Sequence, residues 1–169
     1  MKTKNTTQKI VLAAMFAALA CVATMVIKIP SPLKGYMNLG DSVVLVAGWM
    51  LSPLYGFLAA GLGSALADLF SGYAVYAPVT FAIKGLMALA AWYIYKVLNK
   101  RIKSSASRII SGFVAELIMI LGYYLFEGIM YGFGASLVNI SANAIQGVAG
   151  LILGFLLIKV FEKTKINFQ

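Results

Sequence analysis

Charged residues are so sparse that they divide the chain into long apolar stretches. Residues 10–27, 42–67 and 128–158 hold 18, 26 and 31 consecutive uncharged positions. Runs of this length, with no strict alternation, predict helices that cross a bilayer, whose apolar core takes about 20 residues per crossing. The pattern predicts spans at 9–29, 39–51, 54–72, 78–97, 107–128 and 136–161. The ambiguous piece is 39–72, which Leu51-Ser52-Pro53-Leu54 interrupts. As one helix it would be about 51 Å long, too long for a bilayer core of about 30 Å, yet it is short for two full crossings.

Charge separates the two readings. Lys2, Lys4 and Lys9 precede the first span, Lys96, Lys100, Arg101, Lys103 and Arg108 cluster around one loop, and Lys159, Lys163 and Lys165 follow the last span. Together they are 11 of the 14 basic residues. Basic flanks favour the cytoplasmic side. Six spans put all three clusters there, whereas a single span over 39–72 would place the basic loop outside. Span 2 is then short, and Pro53 opens span 3, where its missing N–H costs little. The expected fold is all-α: an integral membrane protein of six transmembrane helices, one domain over 1–169, with N- and C-termini cytoplasmic. No cleavable leader is expected. Trp49 and Trp92 are expected at the inner interface, and 30–38, 72–77 and 128–135 are the outer connections.

Composition narrows the function. With 62% hydrophobic and 11% charged residues, the chain has too little polar surface for a soluble exterior, and the net charge of +9 is explained by the flanks rather than by nucleic acid. There is no histidine and one cysteine, Cys21, so zinc, haem or iron–sulfur chemistry is not expected, nor any cofactor or intrachain disulfide. Few acid–base groups remain for a membrane enzyme.

Polar residues at membrane depth carry the candidate chemistry, because each is costly there and faces a partner or a cavity. Glu116, Tyr123 and Glu127 share one face of span 5, and Asn139, Asn143 and Gln146 share one face of span 6. Thr80 and Lys84 lie one turn apart on span 4, and Asp68 ends span 3. Asp68 and Lys84 are brought to neighbouring helices across the loop between them, where they either pair with each other or contact ligand. Tyr36, Tyr73, Tyr76, Tyr123 and Tyr131 gather near the outer set. Aromatic walls with a few polar anchors suit a flat heteroaromatic ligand. Small residues four apart in span 1, Ala13 with Ala17 and Ala14 with Ala18, allow close helix approach, either inside the bundle or against another membrane protein.

These features resemble a substrate-binding S component of an energy-coupling factor (ECF) vitamin transporter. The resemblance covers essentially the whole chain and is most specific in YMNLGDSVVLVAGWMLSPLYGFLAAGLGSALADLFSGYAVYAPVTFAIKG. It implies a prokaryotic multi-pass cell-membrane protein that captures a vitamin or precursor at the outer face. Pyridoxine or hydroxymethylpyrimidine is favoured, with riboflavin as a further candidate. It implies a transmembrane coupling protein docking on Ala13, Ala14, Ala17 and Ala18, and two cytoplasmic ATPases that hydrolyse ATP. This chain itself has no G-x-x-x-x-G-K-[ST] motif and is not expected to be an enzyme. Binding would use Tyr36, Asn38, Asp68, Tyr73, Tyr76, Thr80, Lys84, Tyr123, Glu127, Asn139, Asn143 and Gln146. The competing reading is a self-sufficient proton-coupled carrier with its proton on Glu116 or Glu127.

Overall fold

A computed structural model describes residues 6–33 and 35–163; Lys2, Lys4 and Lys165 of the basic flanks lie outside them. Among the described residues are six helices: α1 (Thr6–Val26), α2 (Gly40–Met50), α3 (Pro53–Phe70), α4 (Ala77–Leu98), α5 (Ser104–Tyr131) and α6 (Phe133–Lys163). Five are long and apolar enough to cross a membrane, and α2 is the short sixth. The break between α2 and α3 falls where Ser52-Pro53 places it, with proline in the first turn of α3. The expected connection over 128–135 shrinks almost to nothing. The end of α5 and the start of α6 meet at Gly132, whose φ of 92° lies in the left-handed region that a side chain disfavours.

The first connection is more ordered than expected. Two short strands, β1 (Ile29–Pro30) and β2 (Tyr36–Met37), pair antiparallel with Ile29 opposite Met37. This hairpin caps the end of the bundle where α1 finishes and α2 begins.

At the centre stands α2, which touches all five other helices. Every one of its residues is buried. A helix apolar on all sides is stable only when surrounded, and Val43, Val44, Leu45 and Val46 here face protein on every side. Its 11 residues span about 16 Å, half a bilayer core. It therefore runs from beneath the hairpin only part of the way through. The opposite end is closed by Trp49, expected at the lipid interface. The indole is instead 2% exposed, and its Nε1 donates to Ser111 Oγ at 3.0 Å. Beside it, buried Arg108 reaches Glu162 at 2.7 Å and the Tyr95 hydroxyl at 3.3 Å, joining α4, α5 and α6. Lys9 and Lys96 border a cleft at this same end, with Ser52 and Trp92.

Helix α1 lies on the outside of the bundle and packs against α3 and α2. The four alanines expected to dock a partner divide. Ala13 and Ala17 are half-buried on the side facing the core, while Ala14 and Ala18 are exposed. At the crossing, a Cβ on Gly63 of α3 would come within 2.3 Å of the Ala17 carbonyl oxygen. Small residues thus set the α1–α3 distance. Gly63→Val is expected to lower the melting temperature in detergent by several degrees, an overpacking cost of about 1–3 kcal/mol. The neighbouring Leu62→Val, on the exposed face, should leave it nearly unchanged. Equal shifts for the two would contradict this packing.

Candidate functional site

Beneath the hairpin, a small cavity opens between α3, α4, α5 and α6. Of the twelve residues expected to bind ligand, eleven border it: Tyr36, Asn38, Asp68, Tyr73, Tyr76, Thr80, Tyr123, Glu127, Asn139, Asn143 and Gln146. Ser31 and Gly35 of the hairpin join them. Its free volume is about 40 Å³, room for a few waters and much less than the several hundred Å³ usual for a small-molecule site. Side chains or the hairpin must therefore move to admit a ring.

The expected helical faces explain the convergence. On α6, Asn139, Asn143 and Gln146 project along one face. Asn139 Nδ2 donates to Glu127 Oε1 of α5 at 2.9 Å, and Asn139 Oδ1 accepts from the Leu33 backbone N–H of the hairpin at 3.1 Å. The Tyr76 hydroxyl also donates to Glu127 Oε1, at 3.4 Å. Thr80 of α4 and Tyr123 of α5 share a hydrogen bond at 3.0 Å. The Tyr73 ring bridges Tyr36 and Tyr76, with centroids 4.9 and 6.2 Å away. Tyr131 is half-buried and does not border the cavity.

Lys84, expected among the binding residues, is corrected, and the alternative in which it pairs with Asp68 is not realised either. The Tyr36 hydroxyl donates to Asp68 Oδ1 at 2.8 Å, while Lys84 forms its salt bridge with Asp41. Depth is the reason: Lys84 lies one turn, about 6 Å, farther along α4 than Thr80. That turn carries its ammonium past the cavity to the first turn of α2. Lys84 consequently does not border the cavity. It sits under the ring of Tyr123, 5.5 Å from the centroid. Burial, and next the charge of Asp68, push the Tyr36 hydroxyl well above the usual tyrosine range. It therefore stays protonated and able to donate.

Asp41 is the residue the sequence reading missed. It is fully buried, and its second oxygen accepts from Gln146 Nε2 at 2.6 Å. Gln146 Oε1 in turn accepts from the Asn38 backbone N–H at 2.9 Å and more weakly from its side-chain amide at 3.4 Å. Asn38 Oδ1 takes the Gly40 N–H at 2.9 Å, capping the start of α2. A chain of contacts thus runs from Lys84 through Asp41 and Gln146 to the cavity wall. Room for it comes from Gly150, where a Cβ would lie 2.7 Å from that of Asp41 and 3.0 Å from Glu116 Oε1. Glu116 is buried beside this chain, and neither carboxylate oxygen has a hydrogen-bond partner among the described residues. Asp41 was discoverable from one signal: a buried Lys84 requires an acid at its own depth.

Asp41→Ala leaves the Lys84 ammonium buried without a counterion, which costs about 3–5 kcal/mol. A large fall in melting temperature is expected. The double variant Asp41→Leu with Lys84→Met should recover most of it, because no charge is then left unpaired. A double variant as unstable as the single one would contradict the pairing.

Comparison with known proteins agrees with this architecture. Residues 4–163 match the family model described as ECF-type riboflavin transporter, S component. An uncharacterised protein of Pyrococcus woesei is 35% identical over 136 residues, covering 79% of this chain and 87% of its own length. The thiamine precursor transporter HmpT of Lactococcus lactis subsp. cremoris is 27% identical over 169 residues, covering 98% of this chain and 94% of its own. Among solved structures, the S component of a bacterial ECF transporter superposes with a TM-score of 0.77 at 25% identity, over 95% of this chain and 98% of that one. The S component for biotin from an ECF-type ABC transporter shares the fold, with a TM-score of 0.62 at 15% identity over 94% and 95% of the two chains.

Proposed function

The chain belongs to the family of ECF-type riboflavin transporter S components, and on that premise we propose which ligand it takes and how it works. It is a multi-pass cell-membrane protein and the substrate-binding subunit of a transporter. We infer that it captures a small vitamin or vitamin precursor at the outer face. Delivery inward then depends on a transmembrane coupling protein and two cytoplasmic ATPases that supply the hydrolysis. The observation that carries this reading is the convergence of eleven polar and aromatic side chains, from the hairpin, the α3–α4 connection and four helices, on one cavity.

Hydroxymethylpyrimidine and pyridoxine are the favoured ligands, with riboflavin as the larger alternative. A single ring demands the smaller expansion of a cavity of about 40 Å³, and the similarity to a thiamine precursor transporter supports the same choice. Entry requires the hairpin to lift. Its ties to Asp68, Asn139 and Gln146 through Tyr36, Leu33 and Asn38 then re-form over the ligand.

Ala14 and Ala18 are the docking residues for the coupling protein, since they are exposed; Ala13 and Ala17 are engaged within the bundle. Calorimetry on the purified protein in detergent should show one ring ligand bound per chain. Ala14→Trp should abolish uptake by cells while leaving that binding within about twofold, because a substitution far from the cavity does not reach it. Binding and uptake lost together would count against the docking assignment.

One observation favours a second reading, a proton-coupled carrier that works alone: the buried carboxylate of Glu116, without a hydrogen-bond partner among the described residues. Liposomes containing only this chain distinguish the two. The S-component reading expects no uptake under an imposed proton gradient, and gradient-driven accumulation would overturn it in favour of the carrier.

A further inference from the structure

Most polar side chains around the cavity are already engaged by the protein itself. Asn139 uses both ends of its amide, on Glu127 and the Leu33 N–H. Gln146 does the same, between Asp41 and Asn38. Their orientations are thereby locked, and they shape the wall more than they address a ligand. Besides the Tyr73 hydroxyl, two groups are left over. Glu127 is 3% exposed, and its Oε2 is buried with no hydrogen-bond partner among the described residues, although its Oε1 accepts from two donors. Asn143, one turn from Asn139 on α6, is half-buried and borders the cavity, and its side chain is not among those tied to Glu127, Asp41 or the hairpin.

The chemistry of the remainder is specific. An ionised carboxylate oxygen only accepts, whereas an amide offers one acceptor and two donors. A buried acceptor without a donor is costly, so a ligand that supplies the donor gains affinity that a donor-less analogue forfeits. Resting on the reading of this cavity as the substrate site, we propose that Glu127 Oε2 selects a heteroaromatic ring bearing an exocyclic amino or hydroxyl donor. Asn143 faces the donor–acceptor edge beside it. The same carboxylate, with Asp68 across the cavity, disfavours any ligand carrying a phosphate or carboxylate, since like charges brought together without water are strongly repelled.

The preference should vanish in Glu127→Gln. Asn139 Nδ2 and the Tyr76 hydroxyl both donate toward Oε1, which holds the new amide oxygen there and turns its NH₂ toward the ligand. The probes are hydroxymethyl-aminopyrimidine, the same ring with methyl in place of the amino group, and the phosphate ester of the first, each measured by calorimetry. In the wild-type protein, loss of the amino group should weaken binding by at least about tenfold, and the phosphate ester should bind at least about a hundredfold more weakly. In Glu127→Gln, the amino and methyl rings should bind within about threefold of each other, a coupling that a merely structural role for Glu127 would not produce.

Should Glu127→Gln fail to fold, the wild-type comparison still decides: equal affinity for the amino and methyl rings overturns the proposal. An equal amino preference in wild type and variant overturns it as well, while leaving the S-component reading intact. If wild-type protein binds none of the three rings but binds riboflavin, the ring assignment falls and the transporter reading stands. If it binds no ligand of this kind, both fall.

Discussion

The structure is organised around a carboxylate at the start of a helix that has no exposed face. Asp41 sits in the first turn of α2, where the positive end of the helix dipole favours an anion. That contribution is small beside the cost of taking the charge out of water. The Lys84 ammonium and the Gln146 amide meet the rest of the demand. The three groups come from α2, α4 and α6, so satisfying one buried charge fixes the relative depth of three helices. Four of the five acids in the chain are buried. Asp41, the one with the best partners, lies at the centre, whereas neither oxygen of Glu116 beside it has a partner among the described residues.

From that fixed point the cavity wall follows. Gln146, held by Asp41, presents its oxygen to Asn38, and Asn38 caps the same helix that carries Asp41. One turn nearer the hairpin, Glu127, Asn139 and Tyr76 form a second cluster that reaches the hairpin through Leu33. The two clusters are rigid for the same reason. Buried polar groups in low dielectric hold one arrangement when satisfied and are costly in any other. A binding site needs such walls, together with an element able to move over them. Here the element lying over these walls is the hairpin, tied to them through Tyr36, Leu33 and Asn38.

Much of this was legible in the chain, and the exceptions have physical causes. The spans followed from uncharged runs and basic flanks because a bilayer imposes its thickness on every crossing. The short α2 followed from Ser52-Pro53. The polar faces of α5 and α6 were legible because Glu116, Tyr123 and Glu127, like Asn139, Asn143 and Gln146, repeat with the helical period. Pairing was harder. Asp68 is closer to Lys84 along the chain than Asp41 is, but depth in the bundle rather than sequence distance decides which acid a buried lysine meets. Trp49 looked like an interface residue because its depth could be estimated but its face could not: on a helix surrounded by five others, no side faces lipid. The alanines of α1 divided for a similar reason, since a four-residue spacing is compatible with either side of a helix. The hairpin left no trace in the pattern, its strands being two residues each.

The central claim is that this cavity is the binding site of an S component for a small donor-bearing ring. It is tested most directly by native mass spectrometry of the protein purified from membranes in mild detergent, with the released small molecule then identified. The account predicts one heteroaromatic molecule per chain, carrying amino or hydroxyl groups and no phosphate or carboxylate, and absent from protein with Asn143→Trp. A bound phosphate ester or carboxylic acid, or a ligand retained at full occupancy when tryptophan fills the cavity, would contradict it.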